Sequence, residues 1–445
     1  MSPVASAQEA PAVVESATVL GGKLAVALLC AVMTLVLARH PRVLALSSRR
    51  FDLGVLILAA AMRLGLFVAV FIVLGMNVTG DVSGYYVPQG EWALEGRIVY
   101  RDFESSYSVL FPYLVGLILL TWHSAKAVVL AAIALELLSL PLWLAAARRW
   151  LPERTVRIAA LLYVTSPIPF LNIALKGHNQ VWVSILIAAS LWALARRDIL
   201  SGAVQGFSLM AVKVLSLLFA PVIWLFAPGR IRWAIAFSAL PLAALALCAP
   251  NKVDLLFPLK FQAQHFSGGN LPYLSTIFGL DPTAAPLRHL YDGLTMLALA
   301  GVFLYAWARG VHRRPENVLH LLTLVLMTFF LASKKAYASY LVMCFFPLCI
   351  TLAAGTVSWP ALAVFGAFGA LAALEPSLHF RWMFANDAKQ YLSILFREQL
   401  PDGMVRWKAL MFLAWDVALV SCYAAYFTLA WRRLFADKSA AAQES

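Results

Sequence analysis

Apolar runs of about 20 residues, the length that crosses roughly 30 Å of hydrocarbon, alternate along this chain with short polar tips. They predict spans at residues 19–38, 53–76, 124–147, 156–173, 178–196, 233–249, 288–308, 317–333, 338–355, 358–374 and 407–431. Residues 200–227 are equally apolar but hold Lys213 in their middle. An unpaired lysine buried in lipid is costly, so this stretch reads as two half-length helices meeting at an aqueous pocket around Lys213. The pattern predicts an all-α, polytopic transmembrane helical bundle with about thirteen crossings, in a single domain over residues 1–445.

Composition agrees. The chain is 62% hydrophobic and only 13% charged, with a mean hydropathy of +0.80, outside the range of soluble domains. Charge then orients it. Basic residues crowd the tips "ARHPRVLALSSRRFD" (within which lies the tip 39–52), "ARRWLPERTVR", "ARRD", "PGRIRW", "RGVHRRPEN" and "WRRLFADK", which by the positive-inside rule face the cytoplasm. The net charge of +13 is therefore mostly topology charge, and no nucleic-acid partner is expected. The opening residues hold Glu9 and Glu15 without a basic n-region, so they do not read as a cleaved signal, and the N-terminus is expected outside. Cys30, Cys248, Cys344, Cys349 and Cys422 all fall in apolar spans without metal-type spacing, as packed or lipid-facing thiols do. Inside the spans, Arg63 calls for a partner such as Glu136 or Asp416, a packing and registry pair rather than a proton path.

With the tip 39–52 cytoplasmic, the next span delivers "GDVSGYY" to the outer face. Three polar loops share that side, 77–123, 250–287 and 375–406, and they include amphipathic or short segments such as "SVLFPYLVGLILLTW" and "YLSILFREQL", which are expected to lie along the interface. Asp81 stands just beyond a span, behind Gly80 and before Gly84, Tyr85 and Tyr86. A Gly-Asp turn is ordinary surface chemistry. A carboxylate held near the membrane in an aqueous cleft also suits a general base.

The stretch "GDVSGYYVPQGEWALEGRIVYRDFESSYSVLFPYLVG" resembles the first outer loop of GT-C glycosyltransferases, especially the polyprenol-phosphate-mannose-dependent mannosyltransferases and their bacterial relatives. Asp81, Tyr85, Gly96, Tyr100, Arg101, Asp102, Phe103, Tyr107 and Pro112 stand at matching places, with Tyr113 where a second proline is usual. Further on, the turn Gly177, His178, Asn179, Gln180 and the lysine Lys213 between short helices are similar to the family's Gly-Gln turn and lysine, and "ASKKAYASYLVMCFFP" resembles its late basic segment. The likeness covers residues 53–355.

The resemblance implies transfer of a sugar, mannose first among them, from a polyprenyl monophosphate to an acceptor hydroxyl on a glycolipid, polysaccharide or protein. It implies inversion, with Asp81 as general base. One carboxylate suffices when the leaving group is a phosphate that needs no protonation. That phosphate needs cations, and the candidates are Lys176, Lys213, Lys334, Lys335 and Arg381. Tyr85, Tyr100, Arg101, Asp102, Glu104, His178 and Gln180 are candidates to touch substrate. Val82 and Ser83 follow Asp81 where an Asp-x-Asp metal pair would place its second acid, so no obligatory cofactor is expected, a divalent ion being the optional one. His265 and the pair Gly268 and Gly269 mark an outer loop that acceptor binding would order. The Ala- and Arg-rich composition suits a bacterial inner membrane, the site facing the periplasm or exterior. The rival reading is a transporter or flippase of lipid-linked sugars, against which stands the single broken segment, since transporters repeat theirs in two halves. A polymerase or ligase of the O-antigen type and a non-catalytic lipid-binding relative are further alternatives.

Overall fold

The computed structural model describes residues 17–251, 253–282, 284–355, 357–383 and 406–436. Its helices are α1 (Ala17–Leu37), α2 (Pro41–Leu44), α3 (Ser48–Phe67), α4 (Val87–Leu94), α5 (Phe111–Thr121), α6 (Ala125–Ala147), α7 (Glu153–Thr165), α8 (Pro167–Ala174), α9 (Gln180–Leu194) and α10 (Asp198–Ala211). They continue as α11 (Ala220–Phe226), α12 (Arg230–Cys248), α13 (Phe257–Ala263), α14 (Leu271–Leu274), α15 (Ala285–Ala308), α16 (Asn317–Ala332), α17 (Phe345–Ala353), α18 (Trp359–Met383) and α19 (Arg406–Phe435). Among the described residues the only β-type pairing is an isolated bridge between Val99 and Phe103. The chain is a multi-pass, all-α integral membrane protein.

Among the described residues five helices are long and apolar enough to cross a membrane, Ser48–Val73, Ala125–Ala147, Arg230–Cys248, Ala285–Ala308 and Leu413–Phe435, and the bent pair α7–α8 makes a sixth. Other apolar stretches, among them Phe111–Thr121, Gln180–Leu194, Asn317–Ala332 and Ala338–Ala353, have 10–17 residues, short for a full crossing at 1.5 Å per residue. Helix length therefore does not support thirteen full crossings. Some of the shortening has a local cause: the expected span 178–196 begins only at Gln180, after a glycine turn, and 338–355 opens as a tight 3₁₀ turn over Ala338–Cys344. The segment "SVLFPYLVGLILLTW" holds the helix α5, and the loops 77–123 and 250–287 also hold α4, α13 and α14, whereas "YLSILFREQL" lies outside the described residues, as do residues 384–405.

The expected continuous span 156–173 is broken, so the described residues hold two interrupted segments where the apolar pattern predicts one. α7 and α8 meet at 47° around Ser166. Pro167 and Pro169 carry no amide hydrogen, and the Ile168 amide donates to Ser166 Oγ at 3.3 Å. The Val164 carbonyl, freed by that redirection, accepts from Arg63 Nη1 at 2.6 Å. The remaining Arg63 donors grip both oxygens of Glu136, Nε at 3.1 Å and Nη2 at 2.8 Å, and both side chains are buried. Arg63 thus pairs with Glu136 and not with Asp416. One guanidinium ties α3, α6 and the α7–α8 bend together. Asp416, on α19, instead accepts from the Gly269 amide and anchors the loop 250–287 at a glycine with φ of +79°.

The apolar stretch 200–227 folds as two short arms, α10 rising to Ala211 and α11 leaving from Ala220, with Lys213 in extended backbone between them. The backbone groups freed there are not orphaned: the Ser108 amide donates to the Val212 carbonyl at 3.3 Å and the Leu110 amide to the Met210 carbonyl at 3.0 Å. α10 is pressed onto α12 through small residues. A Cβ on Gly202 would fall 2.3 Å from the Trp233 carbonyl oxygen, and one on Gly206 2.3 Å from that of Phe237.

Two consequences are measurable by thermal unfolding in detergent. Arg63→Met strands the buried Glu136 carboxylate and is expected to cost about 3–5 kcal/mol; adding Glu136→Leu should restore a large part of that loss. A double variant as unstable as the single one would mean that the pair is not what holds the bend.

Candidate functional site

The π-helical end of α3, Val68–Val73, is followed by glycines with φ of +62° at Gly75 and +78° at Gly80. These conformations suit glycine and turn the chain back over the bundle, so that Asp81 opens a second π-helical turn, Val82–Tyr86, leading into α4. The Asp81 side chain is 40% exposed. Tyr107 donates its hydroxyl to Asp81 Oδ2 at 3.4 Å, and His178 Nδ1 stands 3.7 Å from the same oxygen. That distance exceeds a hydrogen bond but is close enough for charge to be felt.

His178 arrives by way of Gly177, whose φ is +57° and whose missing side chain leaves the turn seated on α6: a Cβ would lie 3.0 Å from Val129 Cγ2 and 3.1 Å from Val82 Cγ2. The next residue is pinned as well, the Asn179 amide donating to Tyr86 Oη at 3.3 Å. Burial, above all, pulls the His178 pKa down to about 4, with Asp81 opposing and Lys176, Lys213 and Lys23 assisting. At neutral pH this imidazole is therefore neutral.

Lys213 is buried with its ammonium 4.3 Å from the Tyr340 ring centre and 5.8 Å from that of Tyr107. Cation–π contact stabilises it there, and none of the ion pairs found among the described residues includes it. Lys335 lies near enough to Lys213 and Asp81 to feel the charge of both. Its Nζ donates to Gln262 Oε1, burial first and then Lys213 bring its pKa down to about 7, and Asp81 opposes. Adjacent Lys334 points elsewhere, into an ion pair with Asp292 at 2.7 Å.

The other sequence candidates take varied positions. Lys176 is half-buried beside Gly177, and Tyr85 is half-buried in the π turn. Gln180 is buried, its Nε2 3.5 Å from Ser339 Oγ. Tyr100 has φ of +64°, donates its hydroxyl to the Tyr107 carbonyl and stacks on Phe257 at 5.8 Å. Arg101 and Asp102 pair with each other at 2.9 Å while Asp102 accepts from the Ile98 amide at 2.7 Å. That closes a turn, and hydrogen bonding from Arg101 holds the Asp102 carboxyl down at about 2. Glu104 is exposed, and the Arg381 side chain lies outside the described residues. Among the described residues no three His, Cys, Asp or Glu side chains converge as a metal site would require.

Tyr107, Tyr340 and Gln262 were not among the sequence candidates for substrate contact. Tyr107 was visible as part of the first-loop pattern, but its hydroxyl could be aimed at Asp81 only by the fold. Gln262 lies on α13 and bridges Lys335 to the Ser106 carbonyl, its Nε2 at 3.4 Å from that oxygen. Together with Phe257 on Tyr100 it ties α13 to the first loop and to Lys335.

No protein-family model matches the chain, and no curated protein matches its sequence. Among solved structures it is similar to the crystal structure of ArnT from Cupriavidus metallidurans bound to undecaprenyl phosphate, with a TM-score of 0.47 and 13% identity over 85% of this chain and 76% of that one. It is also similar to the apo oligosaccharyltransferase of Archaeoglobus fulgidus, with a TM-score of 0.38 and 15% identity over 89% of this chain and 60% of that one. The present chain thus spans less than two thirds of the oligosaccharyltransferase. Likenesses this distant transfer neither residue roles nor activity.

The lysine assignment is open to direct titration. With lysines carrying ¹³C-methyl labels, the NMR resonance missing from Lys335→Met should titrate near the site value of about 7, cationic below and neutral above. A midpoint near that of a solvated lysine, about 10.4, would place Lys335 in water and out of the cleft.

Proposed function

We propose that this protein is a GT-C-type glycosyltransferase. It moves a sugar, mannose in the first instance, from a polyprenyl monophosphate to an acceptor hydroxyl with inversion at the anomeric carbon. The observation that carries the reading is the meeting of one accessible carboxylate, Asp81, with the buried Lys213 and the half-buried Lys335, both near enough to feel its charge. An acid–base group and a phosphate cradle side by side at the end of a spanning helix are what such a transfer needs.

In this scheme an Asp81 oxygen accepts the proton of the acceptor hydroxyl as that oxygen bonds to the anomeric carbon, and the bond from that carbon to the phosphate oxygen breaks. The phosphate leaves with the electron pair and needs no proton. Lys213 and Lys335 stabilise its charge in a setting poor in water, where preorganised donors act most strongly. Tyr107 holds Asp81 in direction. His178, neutral at pH 7, serves as a hydrogen-bonding partner for a sugar or acceptor hydroxyl and leaves the positive charge to the lysines. The acceptor is a glycolipid, polysaccharide or protein presented on the face opposite the basic tips, which in a bacterial inner membrane is the periplasmic face.

The helix break at Ser166 is the one feature that favours a transporter, because it gives the chain a second interrupted segment. That break is filled by the Arg63 guanidinium rather than lining a path.

Purified protein and its Asp81→Asn variant, each given radiolabelled polyprenyl-phosphate mannose and a membrane glycolipid extract, separate these readings. Transfer is expected from the wild type and is expected to fall by about 10²–10⁴-fold in the variant, with donor binding retained. Equal transfer by both would remove Asp81 from the chemistry. Donor binding without transfer, together with movement of the lipid-linked sugar across vesicles, would replace the enzyme by a transporter.

A further inference from the structure

At the opposite end of α3 from Asp81, on the basic face, the structure holds a cavity of about 810 Å³. Arg39, Arg154 and Arg433 line it together with apolar groups including Ile158 and Ala353, and a recess of about 490 Å³ continues from it past Arg39 and Arg154. These arginines differ from their neighbours. Arg148 is neutralised by Asp52 at 2.6 Å and Glu153 at 2.8 Å, and Arg157 by Glu153 at 2.8 Å. Arg39, Arg154 and Arg433 enter no ion pair found among the described residues, and Glu153, the one acid lining the recess, is already engaged by Arg148 and Arg157.

The site is built, not merely basic. Arg433 is half-buried and its Nε is shut off from solvent without a hydrogen-bond partner. A side chain at Gly355 would collide with it, since a Cβ there falls 1.9 Å from Arg433 Nη2. Arg39 rests over the Trp359 ring at 4.6 Å. The guanidinium groups come from separate parts of the chain: the end of α1, the start of α7 and the end of α19, with Gly355 following α17.

We propose that this cavity binds the phosphate head group of an anionic membrane phospholipid. Guanidinium forks match phosphate oxygens, anionic lipids are drawn to cationic residues at this membrane surface, and the volume falls within the range of small-molecule sites, far larger than one phosphate ion needs. The apolar wall formed by Ala38, Leu44, Ile158 and Ala353 favours a lipid over a free phosphate. A lipid seated there clasps α1, α7 and α19 at the face away from the cleft.

The test uses the full chain in detergent, with thermal unfolding and native mass spectrometry as readouts of added phosphatidylglycerol, phosphatidylcholine or soluble glycerol phosphate. Phosphatidylglycerol alone is expected to bind and to raise the unfolding temperature. The triple variant Arg39→Gln, Arg154→Gln, Arg433→Gln should bind it at least about tenfold more weakly, as loss of charge-assisted hydrogen bonds implies. The exposed pair Arg49→Gln, Arg50→Gln on the same face should bind as the wild type does. Arg154→Gln alone, at an exposed and unpaired residue, carries little folding risk and should weaken binding several-fold, which keeps the test valid if the triple variant is unstable. Equal binding by wild type and Arg154→Gln, no preference for phosphatidylglycerol over phosphatidylcholine, or equal affinity for glycerol phosphate would each overturn the proposal.

Discussion

A membrane offers no water to a carbonyl that a helix has let go, and the fold turns on how one such carbonyl is answered. At the α7–α8 bend the Val164 oxygen is taken by Arg63, whose charge is in turn balanced by Glu136. Each of the three elements in that knot carries a piece of the cleft at its other end. α3 leads to Asp81, α6 supplies the Val129 floor under Gly177, and α8 releases His178. The distance between Asp81 and His178 is therefore fixed from below, by a guanidinium buried among helices. Such a pair contributes geometry more securely than it contributes stability, because desolvation offsets much of its Coulomb energy.

The cleft divides its electrostatic labour. Asp81 remains accessible to water, whereas Lys213 is buried and Lys335 and His178 are half-buried, His178 far enough to stay neutral. Burial discharges a histidine more readily than a lysine, because the histidine begins with the lower pKa. The same degree of withdrawal thus leaves one cation near its switching point and removes another altogether.

How much of this could be read from the sequence differs from residue to residue. The break around Lys213 was legible because a lysine in mid-span has to be met by water or by an interrupted helix, and the Arg63 pairing was legible down to two partners. The second break was not, although Pro167 and Pro169 announced it, because an apolar window ignores backbone hydrogen bonding. Lys334 and Lys335 looked alike as letters; only Asp292, 42 positions away, distinguishes the one that is neutralised. The aromatic bed of Lys213 was hidden for a similar reason, since Tyr107 and Tyr340 meet there from distant parts of the chain. Propensity and periodicity report what a residue prefers locally, and these assignments are decided by what the fold sets opposite it.

Lys213 rests on rings where most buried lysines rest on a carboxylate. A carboxylate partner competes with every anion that approaches and must be displaced before the anion can bind. A ring face holds the ammonium in place without neutralising it and gives nothing back to solution when an anion arrives. The positive charge is thus kept in reserve at a fixed address.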